Sequence, residues 1–487
     1  MANLKSIRVR FAPSPTGYLH VGGLRTALYN YLFARKHKGV FVLRIEDTDR
    51  TRYVEGAVEN LIETLHWAGL EYDEGPVKGG SYAPYIQSQR LEIYKRHVDM
   101  LLEKRKAYRC FCTPERLEEM RKQQEKIGAS SKYDRRCLKL IQSEIQANLS
   151  KGVPFVVRMK IPDVPTIQFN DIIRGKVEFA SEMLDDQVLL KSDGYPTYHL
   201  ANVVDDHLMD ISHVIRGEEW LSSTPKHVLL YQHFGWQLPV FAHLPLLLNP
   251  DRSKLSKRQG DVAVEDYRAK GYLPEALINF VAFLGWNPGT EQEFFYFDEL
   301  INQFLLEHVN KAGAIFNIEK LNWMNFEHLR KKSDEDVLQL LRSELAQSRY
   351  KHVHFDDDYL QRVITAMRDR VSFINDFIEK SPYFFEAPVE YDKEVVKKRW
   401  KKDAPNHLKK LVEEFLQLQN PRKEDYETAL HRTAESLKIS NGQLIHAARL
   451  AVSGVGAGPG LYDILYILGK EESVQRINTA IEKIKSV

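Results

Sequence analysis

The chain is poor in cysteine, with only three in 487 residues. Proteins of oxidising compartments are often held together by paired cysteines, so this count indicates a reducing compartment. The sequence also lacks an apolar run long enough to span a bilayer, and its first residues lack the apolar core of a signal segment. We therefore expect a cytoplasmic protein with no membrane-spanning helix.

A strong net charge is also missing, because 69 Lys and Arg residues stand against 67 Asp and Glu residues and give a formal charge of +2. No field of the whole molecule would attract a nucleic acid, so such a partner must be bound by local clusters. One basic cluster surrounds Trp400 and consists of Lys397, Lys398, Arg399, Lys401 and Lys402. Cations beside an aromatic ring are consistent with phosphate contact and base stacking, and an ordinary solvated helix face is the alternative.

The sequence has a glycine-rich turn, FAPSPTGYLHVGG at residues 11–23, between a predicted strand and a predicted helix. Residues 7–11 are apolar and β-prone, and residues 21–37 have helical spacing. The turn therefore lies at a helix N-terminus, where backbone N–H groups and the helix dipole favour anions. Gly23 and Leu24 exclude a P-loop, which needs Lys and then Ser or Thr at these positions. A turn that only caps a helix is the alternative.

A second short segment, KLSKR at residues 254–258, is a compact cationic loop. It follows turn residues at 249–251 and precedes a helical pattern that starts at residue 264. Lysine carries a compact, rotatable positive charge that suits phosphates, although a charge cluster in a loop is usually a solvated surface. Together with the glycine-rich turn, this loop predicts a site that holds a nucleoside triphosphate at both ends without a protein nucleophile.

Alternating strand-like and helical segments predict a parallel α/β sheet with helices on its faces. The predicted strands of this sheet are residues 7–11, 40–45, 187–191, 198–204 and 211–215. Shorter predicted strands, at 155–161, 166–169 and 176–179, indicate an insertion. Beyond residue 327 nearly every segment has helical periodicity. The expected architecture is a split α/β domain followed by an all-helical half.

Four segments together resemble the class I aminoacyl-tRNA synthetases, and among them the glutamyl-tRNA synthetases. The segments are RFAPSPTGYLHVGG at 10–23, RIEDTD at 44–49, GYPTYHLANVVDDH at 194–207 and KLSKR at 254–258. Gly23 and Arg258 depart from the general class I pattern, but both variants are familiar in the glutamyl group. The resemblance covers essentially the whole chain. It implies ATP-dependent attachment of L-glutamate to the 3′ end of tRNA(Glu) through a glutamyl-adenylate.

The resemblance also implies a domain order. A Rossmann-like catalytic domain is expected in two parts, residues 1–106 and 191–250, separated by an inserted α+β acceptor-binding domain at 107–190. A stem-contact domain is expected at 251–326 and an all-helical anticodon-binding region at 327–487. The expected partners are tRNA(Glu), L-glutamate and ATP with Mg²⁺, and the expected oligomeric state is a monomer without membrane contact.

Glutamate carries two carboxylates and one ammonium group, so its pocket should contain two cations and one anion. Arg10 and Arg216 lie at the ends of predicted strands and Glu46 follows another, so all three would reach the carboxyl edge of the sheet. A surface ion pair is the alternative for each arginine. The resemblance adds to this glutamate pocket Ala12, Ser14, Tyr198 and Asn202.

The resemblance places ATP along the glycine-rich turn and the cationic loop. The expected contacts are Gly17, His20, Gly22, Gly23, Glu219, Leu247, Lys254, Leu255, Ser256, Lys257 and Arg258. Transfer at the α-phosphate needs alignment and neutralised charge rather than covalent help. His20 would donate to a phosphate oxygen that gains charge, and Lys254 and Lys257 would follow the departing pyrophosphate.

In the helical half, the resemblance indicates Arg370 and Arg449 as anticodon contacts. Arg370 occupies the place where discriminating members of the family carry an arginine that reads the third anticodon base. We therefore expect an enzyme that charges tRNA(Glu) and rejects tRNA(Gln). An interhelical ion pair with one of the nearby acids is the alternative for Arg370.

Three cysteines, Cys110, Cys112 and Cys137, fall in the predicted insertion. A structural zinc ion takes four ligands, and relatives with zinc often have a histidine two residues after the last cysteine. This chain has Lys139 there, which is a poor ligand, and Tyr133 would be an unusual substitute. Two alternatives stay open: a zinc site formed by Cys110, Cys112, Tyr133 and Cys137, or three reduced thiols without metal.

Two other functions are alternatives to the one that the resemblance implies. A cytidylyl- or pantothenate-type nucleotidyltransferase would activate a small acid, but such enzymes are shorter and need no basic helical half. A synthetase-derived RNA-binding protein would have a dead site, whereas His20, Lys257, Arg10 and Glu46 are all present here.

Overall fold

The computed structural model describes residues 6–255 and 262–485. These residues group into two compact units, Met1–Lys270 with Pro274–Lys320, and Gly271–Leu273 with Leu321–Val487. The first unit combines strands and helices, and the described part of the second unit is helical. This is the α/β half followed by a helical half that the sequence predicts. The finer division into five domains stays a prediction.

The strands of the first unit are short. They are β1 (Arg8–Phe11), β2 (Val40–Leu43), β3 (Ala107–Cys110), β4 (Val156–Met159), β5 (Thr166–Asp171), β6 (Gly175–Ala180), β7 (Val188–Leu190), β8 (His213–Gly217), β9 (Val240–Leu244), β10 (Leu247–Leu248) and β11 (Ala314–Ile315).

The central sheet is parallel. β1 pairs with β2, and β8 pairs with β9. The backbone N–H of Ser212, just before β8, donates to the carbonyl oxygen of Arg8 at 2.9 Å and joins the two pairs. The carboxyl ends of β1 and β8 therefore lie at one edge, which is where parallel sheets bind ligands.

The inserted segment contributes two antiparallel arrangements. β3, β4 and β7 form one small sheet, and β5 and β6 form a hairpin. β7 is the strand predicted at residues 187–191, so its assignment to the parallel sheet was wrong, because it pairs antiparallel with β4 instead. The last residue of β5, Asp171, also pairs in parallel with Phe241 of β9. This pairing attaches the hairpin to the central sheet, and the side chain of Asp171 is buried.

The described part of the first unit contains ten α-helices that begin before residue 318. They are α1 (Val21–Lys36), α2 (Ala57–Trp67), α3 (Leu91–Glu103), α4 (Pro114–Lys126), α5 (Gln142–Ser150), α6 (Tyr198–Leu208), α7 (Thr224–Phe234), α8 (Val264–Ala269), α9 (Pro274–Ala282) and α10 (Phe297–Gln303).

Residues 198–204 form the first part of α6, so the predicted strand there was wrong. β-branched and aromatic residues favour a strand locally. The buried residues Leu200, Val203 and Val204 nevertheless recur at helical spacing and pack into the core of the first unit. Burial of this helical face outweighs the local preference.

The remaining helices are amphipathic and form the helical half. They are α11 (Ile318–Lys331), α12 (Asp334–Gln347), α13 (Asp357–Met367), α14 (Asp376–Glu379), α15 (Lys393–Arg399), α16 (Ala404–Leu416), α17 (Lys423–Ser436), α18 (Asn441–Ser453), α19 (Leu461–Leu468) and α20 (Lys470–Lys483). Within residues 6–255 and 262–485, none of the helices is both long enough and apolar enough to cross a membrane.

Candidate active site

A cavity of about 790 Å³ opens at the edge of the central sheet where β1 and β8 end. Its wall is formed by the turn between β1 and α1, the segment after β2, the start of α6 and the end of β8. The predicted site residues that line it are Arg10, Ala12, Ser14, Gly17, His20, Gly22, Gly23, Glu46, Tyr198, Arg216 and Glu219. The fold thus brings most of the predicted glutamate and ATP contacts to one place.

His20 caps the N-terminus of α1. Its Nδ1 accepts a hydrogen bond from the backbone N–H of Gly22 at 2.9 Å. A neutral imidazole that accepts at Nδ1 carries its proton on Nε2, so Nε2 is a donor. Gly17 has a φ of 137°, a conformation that favours glycine, and it shapes the turn that leads to this helix start. The helix dipole favours an anion here, although the first two N–H groups of α1 are already bonded, that of Val21 to the carbonyl oxygen of Val262 and that of Gly22 to His20.

The two glycines of α1 have different surroundings. A Cβ at Gly23 would lie 2.7 Å from Cδ1 of Leu19, so this glycine lets the turn pack closely on the helix. A Cβ at Gly22 would lie 3.7 Å from Cδ1 of Leu247. Leu247 therefore lies beside Gly22 but outside the cavity wall.

The cationic loop is described only at its start. Lys254 is exposed, and its backbone forms an isolated antiparallel β-bridge with Leu248. The N–H of Leu255 donates to the carbonyl oxygen of Leu247 at 2.9 Å. Ser256, Lys257 and Arg258 lie outside the described residues. After residue 261, the carbonyl oxygen of Val262 accepts from the N–H of Val21 at 2.9 Å. Both described flanks of the loop are therefore close to the start of α1.

Arg10 belongs to a buried network of charges. Its Nε and Nη2 donate to the two carboxylate oxygens of Asp206 at 3.0 and 3.3 Å. Nη2 of Arg44 lies 2.8 Å from the same carboxylate. Burial disfavours the charged form of Asp206, but the two guanidinium groups outweigh it and hold the pKa of Asp206 below its usual range. Arg10 thus forms an ion pair, but inside the protein rather than at its surface.

Glu46 is the acidic group of the cavity wall. Its Oε1 accepts from Nη2 of Arg44 at 3.0 Å. Burial raises the pKa of Glu46, while Arg44 and Arg10 oppose that shift. A charged Glu46 would therefore be stabilised by a cation such as an ammonium group. Neither Arg44 nor Asp206 is among the predicted site residues, although charged residues inside apolar runs are a signal for buried pairs.

Arg216 has a different environment from Arg10. Its Nη1 donates to the hydroxyl of Tyr198 at 3.1 Å, and both residues line the cavity. The ring of Tyr198 packs against Trp220 with ring centroids 4.0 Å apart and planes tilted by 31°. Burial raises the pKa of the Tyr198 hydroxyl, so it stays protonated. The guanidinium of Arg216 is therefore buried next to a neutral hydroxyl.

One face of α6 carries the residues that bond to both arginines, Tyr198 to Arg216 and Asp206 to Arg10. Tyr198, Asn202 and Asp206 follow each other at intervals of four residues and so share that face. Asn202 does not line the cavity, but its Nδ2 is buried and has no hydrogen-bond partner among the described residues. A buried amide donor without a partner is unfavourable, so a ligand acceptor within its reach would be stabilised.

The three cysteines lie together in the inserted segment. The Sγ atoms of Cys112 and Cys137 are 3.5 Å apart, and all three thiols lie within 4.8 Å of one another. The hydroxyl of Tyr133 lies 3.3 Å from the sulfurs of Cys110 and Cys112. Thiols bound to one tetrahedral zinc ion are about 3.8 Å apart, so this donor set fits zinc.

In the helical half, Arg370 and Arg449 lie near the same tyrosine. Burial raises the pKa of Tyr383 to about 12, and the charges of Arg449 and Arg370 oppose this shift. Arg449 donates to the carbonyl oxygen of Pro459 at 2.5 Å. Arg370 is exposed in the turn Arg368–Arg370 and forms no ion pair with an acid among the described residues.

The basic cluster around residue 400 is only partly as predicted. Lys397, Lys398, Arg399, Lys401 and Lys402 are all exposed. Trp400 is only 1% exposed, so it cannot stack on a base, and that part of the prediction was wrong. Its indole packs into the helical half instead and leaves the cations on the surface.

Two family models match the chain. The model described as tRNA synthetases class I (E and Q), catalytic domain, matches residues 6–323, and the anticodon binding domain model matches residues 336–481. These matches confirm the predicted order of a class I catalytic domain and an anticodon-binding half. A glutamate–tRNA ligase of Chloroherpeton thalassium is 55% identical over 495 residues, which cover 99% of this chain and 98% of that protein.

Solved structures are similar over the same length. A glutamate tRNA ligase from Elizabethkingia meningosepticum, in complex with its amino acid, has a TM-score of 0.94 and 42% identity. The match covers 99% of this chain and 100% of that one. A glutamate-tRNA synthetase from Elizabethkingia anophelis has a TM-score of 0.91 and 42% identity, with 98% of this chain and 100% of that chain covered.

Proposed function

Because the chain belongs to the glutamate–tRNA ligases, a family of class I aminoacyl-tRNA synthetases, we propose that it joins L-glutamate to the 3′ end of tRNA(Glu) using ATP. The observation that carries the proposal is the cavity in which two buried arginines meet the N-terminus of α1. The α-carboxylate of glutamate attacks the α-phosphate of ATP and releases pyrophosphate. The 3′ end of the tRNA then takes the glutamyl group from the adenylate and releases AMP.

Glutamate binds at the sheet edge. Arg216 faces its side-chain carboxylate, since no protein carboxylate among the described residues pairs with this guanidinium. Glu46 attracts the ammonium group, and the buried Nδ2 of Asn202 supplies a donor. Arg10, Ala12 and Ser14 complete the pocket beside β1.

ATP binds along the start of α1. Nε2–H of His20 donates to a phosphate oxygen. Gly22 and Gly23 carry no side chains and so let the phosphates approach the backbone at the positive end of the α1 dipole. Lys254, Lys257 and the rest of the KLSKR segment neutralise the charge that develops on the departing pyrophosphate. Mg²⁺, held mostly by phosphates and water, would add further positive charge to the nucleotide.

The helical half binds the tRNA. Arg370 and Arg449 contact the anticodon, and the exposed cations near residue 400 contact phosphates. In this proposal the enzyme acts as a monomer in the cytoplasm and discriminates against tRNA(Gln). Its inserted segment holds a structural zinc ion through Cys110, Cys112 and Cys137, with Tyr133 as the fourth donor. Zinc would fix the geometry of this segment and takes no part in the reaction.

The test is ATP–pyrophosphate exchange with purified protein, in the presence and absence of tRNA(Glu). Exchange that depends on both glutamate and tRNA is expected. Lys257→Ala should lower the exchange rate about a hundredfold at saturating glutamate, because the lysine acts on charge present only in the transition state. Lys95→Ala, a change at an exposed lysine of α3, is the matched control and should not alter the rate.

Two outcomes contradict the proposal. Exchange that needs a different acid and no tRNA would indicate the nucleotidyltransferase alternative. Binding of tRNA without any exchange would indicate an RNA-binding protein whose catalytic site is inactive.

A further inference from the structure

Arg216 is held by three buried side chains that do not line the cavity. Its Nε donates to Nε2 of His243 at 3.2 Å. Its Nη2 donates to Oγ1 of Thr224 at 2.9 Å and to Nδ1 of His227 at 3.1 Å. Because the five N–H donors of a guanidinium lie in one plane, these contacts fix that plane and leave Nη1 on the side of Tyr198.

His243 is placed for this contact by the sheet. It is the register partner of Arg216 across the parallel strands β8 and β9. Its Nδ1 donates to Oδ2 of Asp171 at 2.6 Å. Asp171 is in turn held by the backbone N–H groups of Ile173 and Arg174, at 2.9 and 2.8 Å. Burial disfavours its charge, but His243 and the backbone N–H of Arg174 outweigh that effect and hold the pKa of Asp171 below its usual range.

The contact with Asp171 selects one tautomer of His243. With the imidazole proton on Nδ1, the lone pair of Nε2 is available to accept from Arg216. Burial lowers the pKa of His243 to about 4, so the imidazole is neutral near neutral pH. His227 is neutral for the same reason, because burial lowers its pKa well below the ordinary value.

These neighbours orient Arg216 without neutralising it. Its guanidinium donates to two neutral imidazoles and two hydroxyls, and no carboxylate forms an ion pair with it in the described part of the chain. Arg10, in contrast, pairs directly with the carboxylate of Asp206. A buried guanidinium with neutral neighbours is stabilised by an anionic ligand, so this arrangement favours a carboxylate over an amide.

We infer that His243, oriented by Asp171, is a positioning residue that holds Arg216 in the orientation that binds the side-chain carboxylate of glutamate. The inference rests on the proposed function, in which Arg216 faces that carboxylate. Neither His243 nor Asp171 lines the cavity, so both act through Arg216.

The first test variant is Asp171→Asn, which keeps the size of the side chain. Its amide would donate toward Nδ1 of His243, so the imidazole proton would move to Nε2 and oppose the N–H of Arg216. In tRNA-dependent pyrophosphate exchange, the KM for glutamate should rise about tenfold or more, because a misplaced binding group loses affinity. The KM for ATP and the rate at saturating glutamate should change by less than about twofold.

The second test compares two changes at one position. His243→Leu removes the acceptor and should raise the KM for glutamate as Asp171→Asn does. His243→Gln places an amide oxygen near the position of Nε2 and should restore a KM close to that of the unmodified protein. His233→Leu is the matched control, since His233 is also buried but bonds to the carbonyl oxygen of Lys160 instead.

The preference for glutamate over glutamine gives an independent readout and should fall in Asp171→Asn and His243→Leu. The inference is overturned if both variants fold, as judged by Tm, and keep the unmodified KM for glutamate and the unmodified preference. A lowered Tm with unchanged KM would also overturn it, because the pair would then be merely structural. Absence of glutamate activation in the unmodified protein would overturn the proposed function instead.

Discussion

Arg10 and Arg216 carry the same side chain but differ in what surrounds them. Arg10 donates to the carboxylate of Asp206, which balances its charge within the protein. Arg216 donates to His243, His227 and two hydroxyl groups, none of which is charged near neutral pH. Discrimination between a carboxylate and an amide should therefore depend mainly on Arg216.

Arg216→Ala should reduce glutamate activation severely. Loss of one partner from a buried charged pair costs about 3 kcal/mol or more, so kcat/KM for glutamate should fall roughly a hundredfold or more. The preference for glutamate over glutamine should fall as well, because glutamine loses less. The measurement is tRNA-dependent exchange with each amino acid, and Arg96→Ala in α3 is the exposed control. An unchanged preference would remove Arg216 from the pocket.

At the scale of elements, β3 in the inserted segment packs against a short 3₁₀ helix, Arg136–Lys139, that lies more than 20 residues further along the chain. β3 ends at Cys110, and this short helix carries Cys137. The hydroxyl of Tyr133 accepts from the backbone N–H of Cys137 at 3.0 Å and lies between the sulfurs. A metal ion bound here would add ligand bonds between two parts of the chain that already pack together in one buried cluster.

The purified protein should contain about one zinc ion per chain, since three thiols and one oxygen are a sufficient tetrahedral set. Cys137→Ser should lose the metal, and a strong chelator should lower the Tm of the unmodified protein but not that of the variant. Tyr133→Phe keeps the ring and removes the oxygen, so weaker zinc retention would identify the fourth ligand. Metal analysis without stoichiometric zinc would leave the three thiols as reduced cysteines.

At the scale of the whole molecule, chemistry and anticodon recognition fall in different compact units. The cavity belongs to the first unit, and Arg370 and Arg449 belong to the second. The net charge of +2 supplies no general attraction for tRNA, so local cations must supply affinity and individual side chains must supply specificity. Charging of a complete tRNA therefore tests both units together.

The unmodified enzyme should charge tRNA(Glu) and reject tRNA(Gln), and Arg370→Gln should raise charging of tRNA(Gln) relative to tRNA(Glu) by about tenfold. The third anticodon base is C in the first tRNA and G in the second. Arginine only donates, so it suits the acceptors of cytosine and cannot satisfy the N–H donors of guanine on the same edge. Aminoacylation of both tRNAs is the measurement.

The matched control is Arg368→Gln, in the same turn. Arg368 lies 2.6 Å from a carboxylate oxygen of Asp334, so its loss should affect stability and not the choice of tRNA. Equal charging of both tRNAs by the unmodified enzyme would contradict the prediction. The same would be true if Arg368→Gln and Arg370→Gln changed the choice equally.

Much of the catalytic half follows from local sequence signals. The strand, the glycine-rich turn and the helix at residues 7–37 are confirmed as β1, a turn capped by His20, and α1. Pro13, Pro15 and Gly17 prevent regular structure locally, and apolar periodicity defines the helix that follows. The predicted strand at 198–204 was wrong because its helical face is stabilised by packing in the core, which the local pattern does not reveal.

The sequence by itself determined which chemical groups are present and at which strand ends they emerge, since strand and helix signals are local. Only the tertiary structure decided which charged side chains are paired with a partner and which are not. Asp206 reaches Arg10 across 196 positions, and Asp171 reaches His243 across 72. It also decided that Trp400 is buried while the cations around it are exposed. Pairing and burial depend on contacts between distant segments, and the free energy of a charge depends on those contacts rather than on its neighbours in the chain.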